Sequence, residues 1–183
     1  MKLNLLLPTS VLLLALPLAA SAQTTPPSVD FGPHAGSQEI TIGGNGSSNR
    51  NLNSSNGGGA VSYGYYNASS FETILRQTIS YSNPKGPNGN VWNGETSIAG
   101  DWLPVTSGAL RPFVGANLGW VYGSDVRSSA AAGLETGLKY YVAPRTFLYA
   151  MADYGWLFRH DKAIAARFTT GLWNWGIGMG FNF

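Results

Sequence analysis

Eight charged residues in this 183-residue chain sit at positions that alternate with bulky apolar ones: Glu39, Glu72, Arg76, Glu95, Asp101, Arg111, Glu135 and Lys139. Acids and bases nearly balance, and such a set has two uses. Held away from water, the charges must pair and hydrogen-bond with one another, which makes a static network. Open to water, they would carry protons or ions. A second candidate is His160 beside Asp161, a base next to an orienting acid. A base of this kind needs a nucleophile within hydrogen-bond reach. Thr169 and Thr170 follow it, but no serine does, so the pair reads as solvated surface and no enzymatic activity is expected. The other histidine, His34, stands far from it in sequence.

Other chemistries drop out by composition. The chain has no cysteine, which excludes zinc fingers, thiol redox and cysteine nucleophiles. No cluster has metal-ligand spacing. The glycine runs Gly43-Gly44-Asn45-Gly46 and Gly57-Gly58-Gly59 open no helix, so neither cradles a phosphate. No cofactor is expected. A net charge of +2, with no basic patch among the aromatics, argues against a nucleic-acid partner.

The elements that must position these charges announce themselves by period. Residues 1–22 read as a secretory signal peptide: a short positive start, an apolar run, then Ala20-Ser21-Ala22. Residues 23–36 read as a flexible leader. Over 37–183 eight segments alternate with period two, the mark of strands with two unlike faces. They are Ser37–Gly44, Gly58–Tyr66, Phe71–Ser82, Val91–Leu103, Leu110–Tyr122, Ser129–Val142, Thr146–Leu157 and Leu172–Phe183. The sixth could also be helical through Ala130–Ala132, but alternation around Glu135 and Lys139 favours a strand. The seventh has no clear phase: Leu148 and Tyr154 share one face, Phe147, Tyr149 and Asp153 the other. Connections alternate long and short, beginning with a long Gly/Asn/Ser loop at Asn45–Gly57. An up-and-down meander whose two ends face different compartments behaves this way.

The greasy face of eight such strands is too bulky to fill an eight-stranded interior. The other face is rich in Gly, Ala, Ser and Asn, which suits a narrow lumen. Charged residues are only 11% of the chain, too few for a well-solvated exterior. The fold expected is therefore all-β: an eight-stranded antiparallel up-and-down transmembrane β-barrel, greasy side out. Its competitor is a soluble lipocalin-like carrier with the greasy face inward. In a lumen this narrow the eight charges read as a network that fills it, in preference to an ion path.

The chain resembles the small outer-membrane β-barrel family of Gram-negative bacteria, the OmpA/OmpX-like eight-stranded barrels. The resemblance rests on the signal segment, the eight alternating stretches, Arg111–Trp120 (RPFVGANLGW), Gly133–Tyr140 (GLETGLKY) and Phe183. It implies a location in the cell outer membrane and a monomer in contact with outer-membrane lipid and lipopolysaccharide. It also implies that Trp175, Ile177, Met179, Phe181 and Phe183 form the signal read by the barrel-assembly machinery. The expected role is structural, adhesive or surface-interacting. A lipid A-modifying enzyme and a narrow, porin-like pore are the other readings. Arg50, Lys85, Arg127, Arg159, Lys162 and Arg167 fall in the outer connections, where they either pair with lipopolysaccharide phosphates or are ordinary solvated loop charges. On the closing strand, Ile177→Arg should hinder insertion, and Gly178→Ala, one residue on, should be far milder than that if it faces the lumen.

Overall fold

A computed structural model describes residues 30–49, 55–82, 91–124, 128–158 and 171–183. The signal segment and the start of the leader lie outside these residues, as do His160, Asp161 and the six outer cations. Eight strands follow in order: β1 (Gln38–Asn49), β2 (Ser55–Ala68), β3 (Phe71–Ser82), β4 (Val91–Trp102), β5 (Leu110–Gly123), β6 (Ser129–Tyr141), β7 (Thr146–Leu157) and β8 (Leu172–Asn182). Each pairs antiparallel with its neighbours in the chain, and β1 pairs with β8 to close a barrel.

Alternation decides which way each residue points. Ile42, Leu75, Ile98, Leu118, Leu134 and Ile177 face outward, Ile177 being 69% exposed. Such a surface is stable only against hydrocarbon, and closure leaves the sheet no edge with unpaired backbone groups. This is the inverse of a soluble carrier barrel. Strands of 11 to 14 residues are long enough to cross a bilayer when tilted. Outward aromatics gather near both ends: Phe71, Trp102, Tyr140 and Phe181 on the side of the short turns, and Tyr81, Trp92, Trp120 and Trp156 on the side of the longer connections. The amphipathic Trp and Tyr rings at these depths sit at the membrane–water interfaces.

Three sequence readings change. The first strand does not stop at Gly44: it runs to Asn49, and β2 begins at Ser55, so most of the expected Asn45–Gly57 loop is strand. Its Gly, Asn and Ser residues have poor intrinsic strand preference, but they lie between two partners. Gly44 pairs with Gly59 on one side and Ile177 on the other, and Gly46 with Gly57 and Trp175. The phase of β7 is also settled: Phe147, Tyr149, Met151 and Asp153 point inward, and Leu148, Ala150 and Trp156 outward.

The third concerns Gly178. A methyl group there would run into the Ile42 carbonyl oxygen, the Gly43 Cα and the ring of Tyr149, so Gly178→Ala is not mild. Gly176 is different. Its nearest obstacle is the flexible Met151 side chain, 3.3 Å from where a Cβ would lie. In urea unfolding from lipid bilayers, Ile177→Arg should cost about 2–4 kcal/mol by placing a cation in hydrocarbon. Gly178→Ala should be clearly destabilising, whereas Gly176→Ala should change stability by no more than about 1 kcal/mol. Equal effects at 176 and 178 would contradict the tight β1–β8 approach.

Candidate functional site

The inward residues make the chemistry of this molecule, and they divide the interior into a packed turn-side half and a more open loop-side half. Lys139 on β6 centres the packed half. Its Nζ donates to Glu39 Oε1 and Glu72 Oε2, each at 2.7 Å, and to Tyr66 Oη at 2.8 Å. Tyr66 Oη donates in turn to Glu39 Oε2 at 2.7 Å, and Asn182 Nδ2 donates to the same oxygen at 3.0 Å. Tyr141 Oη donates to Asn182 Oδ1. Lys139 Nζ also stands 5.0 Å from the Phe147 ring centroid and 5.3 Å from that of Tyr66, within range of cation–π attraction. Tyr66, Leu103 and Phe113 form a buried apolar cluster at this end.

Midway up, Arg76 grips Glu135 with both ends of its guanidinium, Nη2 to Oε1 at 2.8 Å and Nη1 to Oε2 at 3.0 Å. This fork is among the stronger protein ion pairs. Asn117 Nδ2 bridges Glu135 Oε2 and Asp153 Oδ2, at 2.6 and 2.9 Å, and Asn174 Nδ2 donates to Asp153 Oδ1 at 2.6 Å. Arg111 behaves differently. Its guanidinium lies 5.4 Å from the Tyr141 ring centroid and its Nη2 donates to the Phe31 carbonyl of the leader. The leader residues reach it because Gly32, at φ 85°, lies directly against the guanidinium; any Cβ there would collide with it. Gly32 N–H to Pro144 O and Gly36 N–H to Tyr66 O, at 2.9 and 2.8 Å, hold the same stretch across the turn-side mouth.

Among the described residues the eight sequence-named charges therefore separate into distinct sites. Lys139 joins Glu39 and Glu72, Arg76 joins Glu135, and Arg111 turns to the leader. Asp101 is 1% exposed with no hydrogen-bond partner for either carboxylate oxygen. It faces a cavity of about 20 Å³ that Arg76 and Lys139 also border. Glu95 lies higher, facing the loop-side half, and no described residue donates a hydrogen bond to its carboxylate. Tyr66, Asn117, Asp153, Asn174 and Asn182 were not singled out from sequence, although all share the inward parity. Asp153 was hidden by the unclear phase of its strand. Trp175, Ile177, Met179 and Phe181 all face outward along β8. Among the described residues no group of His, Asp or Glu is placed to hold a metal ion.

Replacing Lys139 by Met keeps much of the stem and removes the charge, leaving Glu39 and Glu72 buried without their counter-ion. Loss of one partner of such a pair costs about 3–5 kcal/mol. Lys139→Met should therefore lower the urea midpoint of the barrel sharply. Adding Glu39→Gln and Glu72→Gln should recover most of the loss. A triple variant as unstable as the single one would show that Lys139 acts through its packing and not its charge.

No protein-family model and no curated protein sequence matches the chain. Solved structures do. The chain is similar to Neisserial surface protein A, with TM-score 0.63 and 17% identity over 80% of this chain and 96% of that one. It is similar to the outer membrane protein OprG from Pseudomonas aeruginosa, with TM-score 0.61 and 13% identity over 83% and 98%. A third is Ail, the attachment invasion locus protein of Yersinia pestis, with TM-score 0.52 and 16% identity over 81% and 99%. At these identities the likeness establishes the architecture: the chain is a closed eight-stranded antiparallel β-barrel, the fold that these outer-membrane proteins share, with its apolar face turned outward.

Proposed function

We propose that this protein acts at the cell surface as a structural, adhesive or surface-interaction barrel whose lumen is plugged against through-passage by its own polar and charged side chains, and that it is not an enzyme. The observation that carries the reading is the Lys139 cluster, in which Glu39, Glu72, Tyr66 and one lysine fill the turn-side interior together with Leu103 and Phe113. A barrel of eight strands is only wide enough for its own side chains, and here large ones occupy it. With the interior closed, function falls to the connections, as is usual where a rigid scaffold presents loops. The names of two structural neighbours, a surface protein and an attachment invasion protein, support the same role.

The partners follow from this reading. Outer-membrane lipid covers the apolar face, and the six outer-connection cations meet lipopolysaccharide phosphates. The outward residues Trp175, Ile177, Met179, Phe181 and Phe183 serve as the signal for the barrel-assembly machinery. The protein works as a monomer.

Two measurements test the proposal. The purified barrel in planar bilayers should show no steady ion conductance; a persistent open level would make it a pore. Cells displaying the protein should bind surfaces or host matrix more than cells without it. Exchanging residues 83–90 and 159–170 for short turns should abolish that gain while heat-modifiable gel mobility is kept. Acyl transfer to lipid A that is lost on replacing His160 would establish the enzymatic reading instead.

A further inference from the structure

The loop-side half of the lumen holds a cavity of about 160 Å³, and its two walls differ. The wall from β1, β3 and β4 is polar, with Asn45, Ser80, Asn93 and Glu95. The wall from β5 to β8 carries apolar side chains, Val121, Leu157 and Leu172, together with Asn117, Asp153 and Asn174. The register explains the polar grouping. Asn45 pairs across Gly58 to Ser80, and Ser80 pairs with Asn93, so one row brings them to one side with a bare glycine between. Glu95 stands one inward position below Asn93 on the same strand, its carboxylate seated over Gly119.

The polar wall has acceptors to spare. Asn45 spends its amide group on Ser80 Oγ, at 3.1 Å, and its Oδ1 is buried with no partner among the described residues. Asn93 Oδ1 is likewise buried and unpartnered. Leaving a buried acceptor unmet costs about 1–3 kcal/mol. The charge balance has the same sign. Arg76, the cation bordering this cavity, is engaged at both ends by Glu135, and Asp153 adds a second carboxylate. Among the described residues Glu95 is thus an acid without a counter-ion, facing a space that needs hydrogen-bond donors. At about 10–15 Å³ for each water, the cavity has room for roughly ten waters, or a ligand of about ten non-hydrogen atoms.

We propose that this cavity is a binding site for a small amphipathic organic cation, a primary ammonium group on a short apolar body. The ammonium supplies three donors for the Glu95 carboxylate and the two free asparagine oxygens. The apolar body lies against Val121, Leu157 and Leu172. Neither half of the ligand is sufficient alone: an anion would face Glu95 and unmet acceptors, and an uncharged alcohol would leave the acid unpaired. The site is independent of the surface role proposed above, because it draws on the interior and not on the connections.

The test uses the barrel purified from outer membranes into lipid nanodiscs, titrated calorimetrically with hexylammonium against empty nanodiscs. Saturable binding is expected, with hexanol and hexanoate weaker by at least about tenfold, equal to about 1.4 kcal/mol. Glu95→Gln should weaken hexylammonium by a similar factor while heat-modifiable mobility is unchanged. Asn93→Leu provides the answer through a second acceptor if Glu95→Gln does not fold. Leu157→Asn should erase the advantage of hexylammonium over methylammonium. The proposal is overturned if the native barrel gives no saturable heat, if hexanoate binds as well as hexylammonium, or if the folded variants keep native affinity.

Discussion

The width of an eight-stranded interior is the constraint on which everything else in this molecule depends. A space just wide enough for side chains cannot take bulk from two facing strands at one level. At several levels the structure meets the limit by setting a large inward group over a bare position on the next strand. Phe147 lies over Gly180 and Tyr149 over Gly178, both direct register partners. Phe113 covers Gly137, and Asp101 covers Gly115. Glycine in a strand weakens it locally, since it has nothing to pack. Here it is the seat that lets a ring or a carboxylate lean across the lumen, and the lost strand preference is offset by what the neighbour contributes.

Charge follows from the same crowding. A carboxylate turned into so narrow a space is desolvated and must find donors from the surrounding wall. Lys139 can serve Glu39, Glu72 and Tyr66 at once because an ammonium carries three donors on a flexible stem. Arg76 serves one carboxylate twice, since its planar fork matches Glu135. Turn-side aromatics wrap the first site, whereas polar side chains and the apolar Val121, Leu157 and Leu172 share the lining of the loop-side space. The two halves thus differ in packing density as well as in chemistry.

The barrel itself was legible from period alone. β3 occupies the very span at which its alternation is visible, because its outward Leu, Ile and aromatic residues contrast with polar and charged ones. β7 has the expected bounds but little contrast between its faces, since Phe147, Tyr149 and Met151 point inward. The first strand was legible only in part. Past Gly44 it carries glycine, asparagine and serine on both faces, so no contrast remains to read. What keeps it a strand is pairing on both sides, a tertiary effect with no local signal. The site was legible as a set of charges but not as pairs. Nothing local tells Lys139, 100 residues from Glu39, that these two meet. Nor does spacing reveal that Arg111 leaves the other charges for the leader carbonyl, or that Gly178 has no room for a methyl group.

The ladder between β1 and β8 differs in kind from the others. Every other pairing joins strands that follow one another, but this one joins residues 39–49 to 172–182, with Gln38 and Phe183 exchanging two backbone bonds at its end. Loop closure over such a separation has the largest entropic cost of any contact in the fold, and it must be met before the ladder contributes anything. Both strands of that seam carry three glycines, Gly43, Gly44 and Gly46 on β1 and Gly176, Gly178 and Gly180 on β8. Ring closure is therefore the slow, cooperative event of this architecture: seven hairpin ladders form from neighbours, and the eighth turns an open sheet with two edges into an object with none.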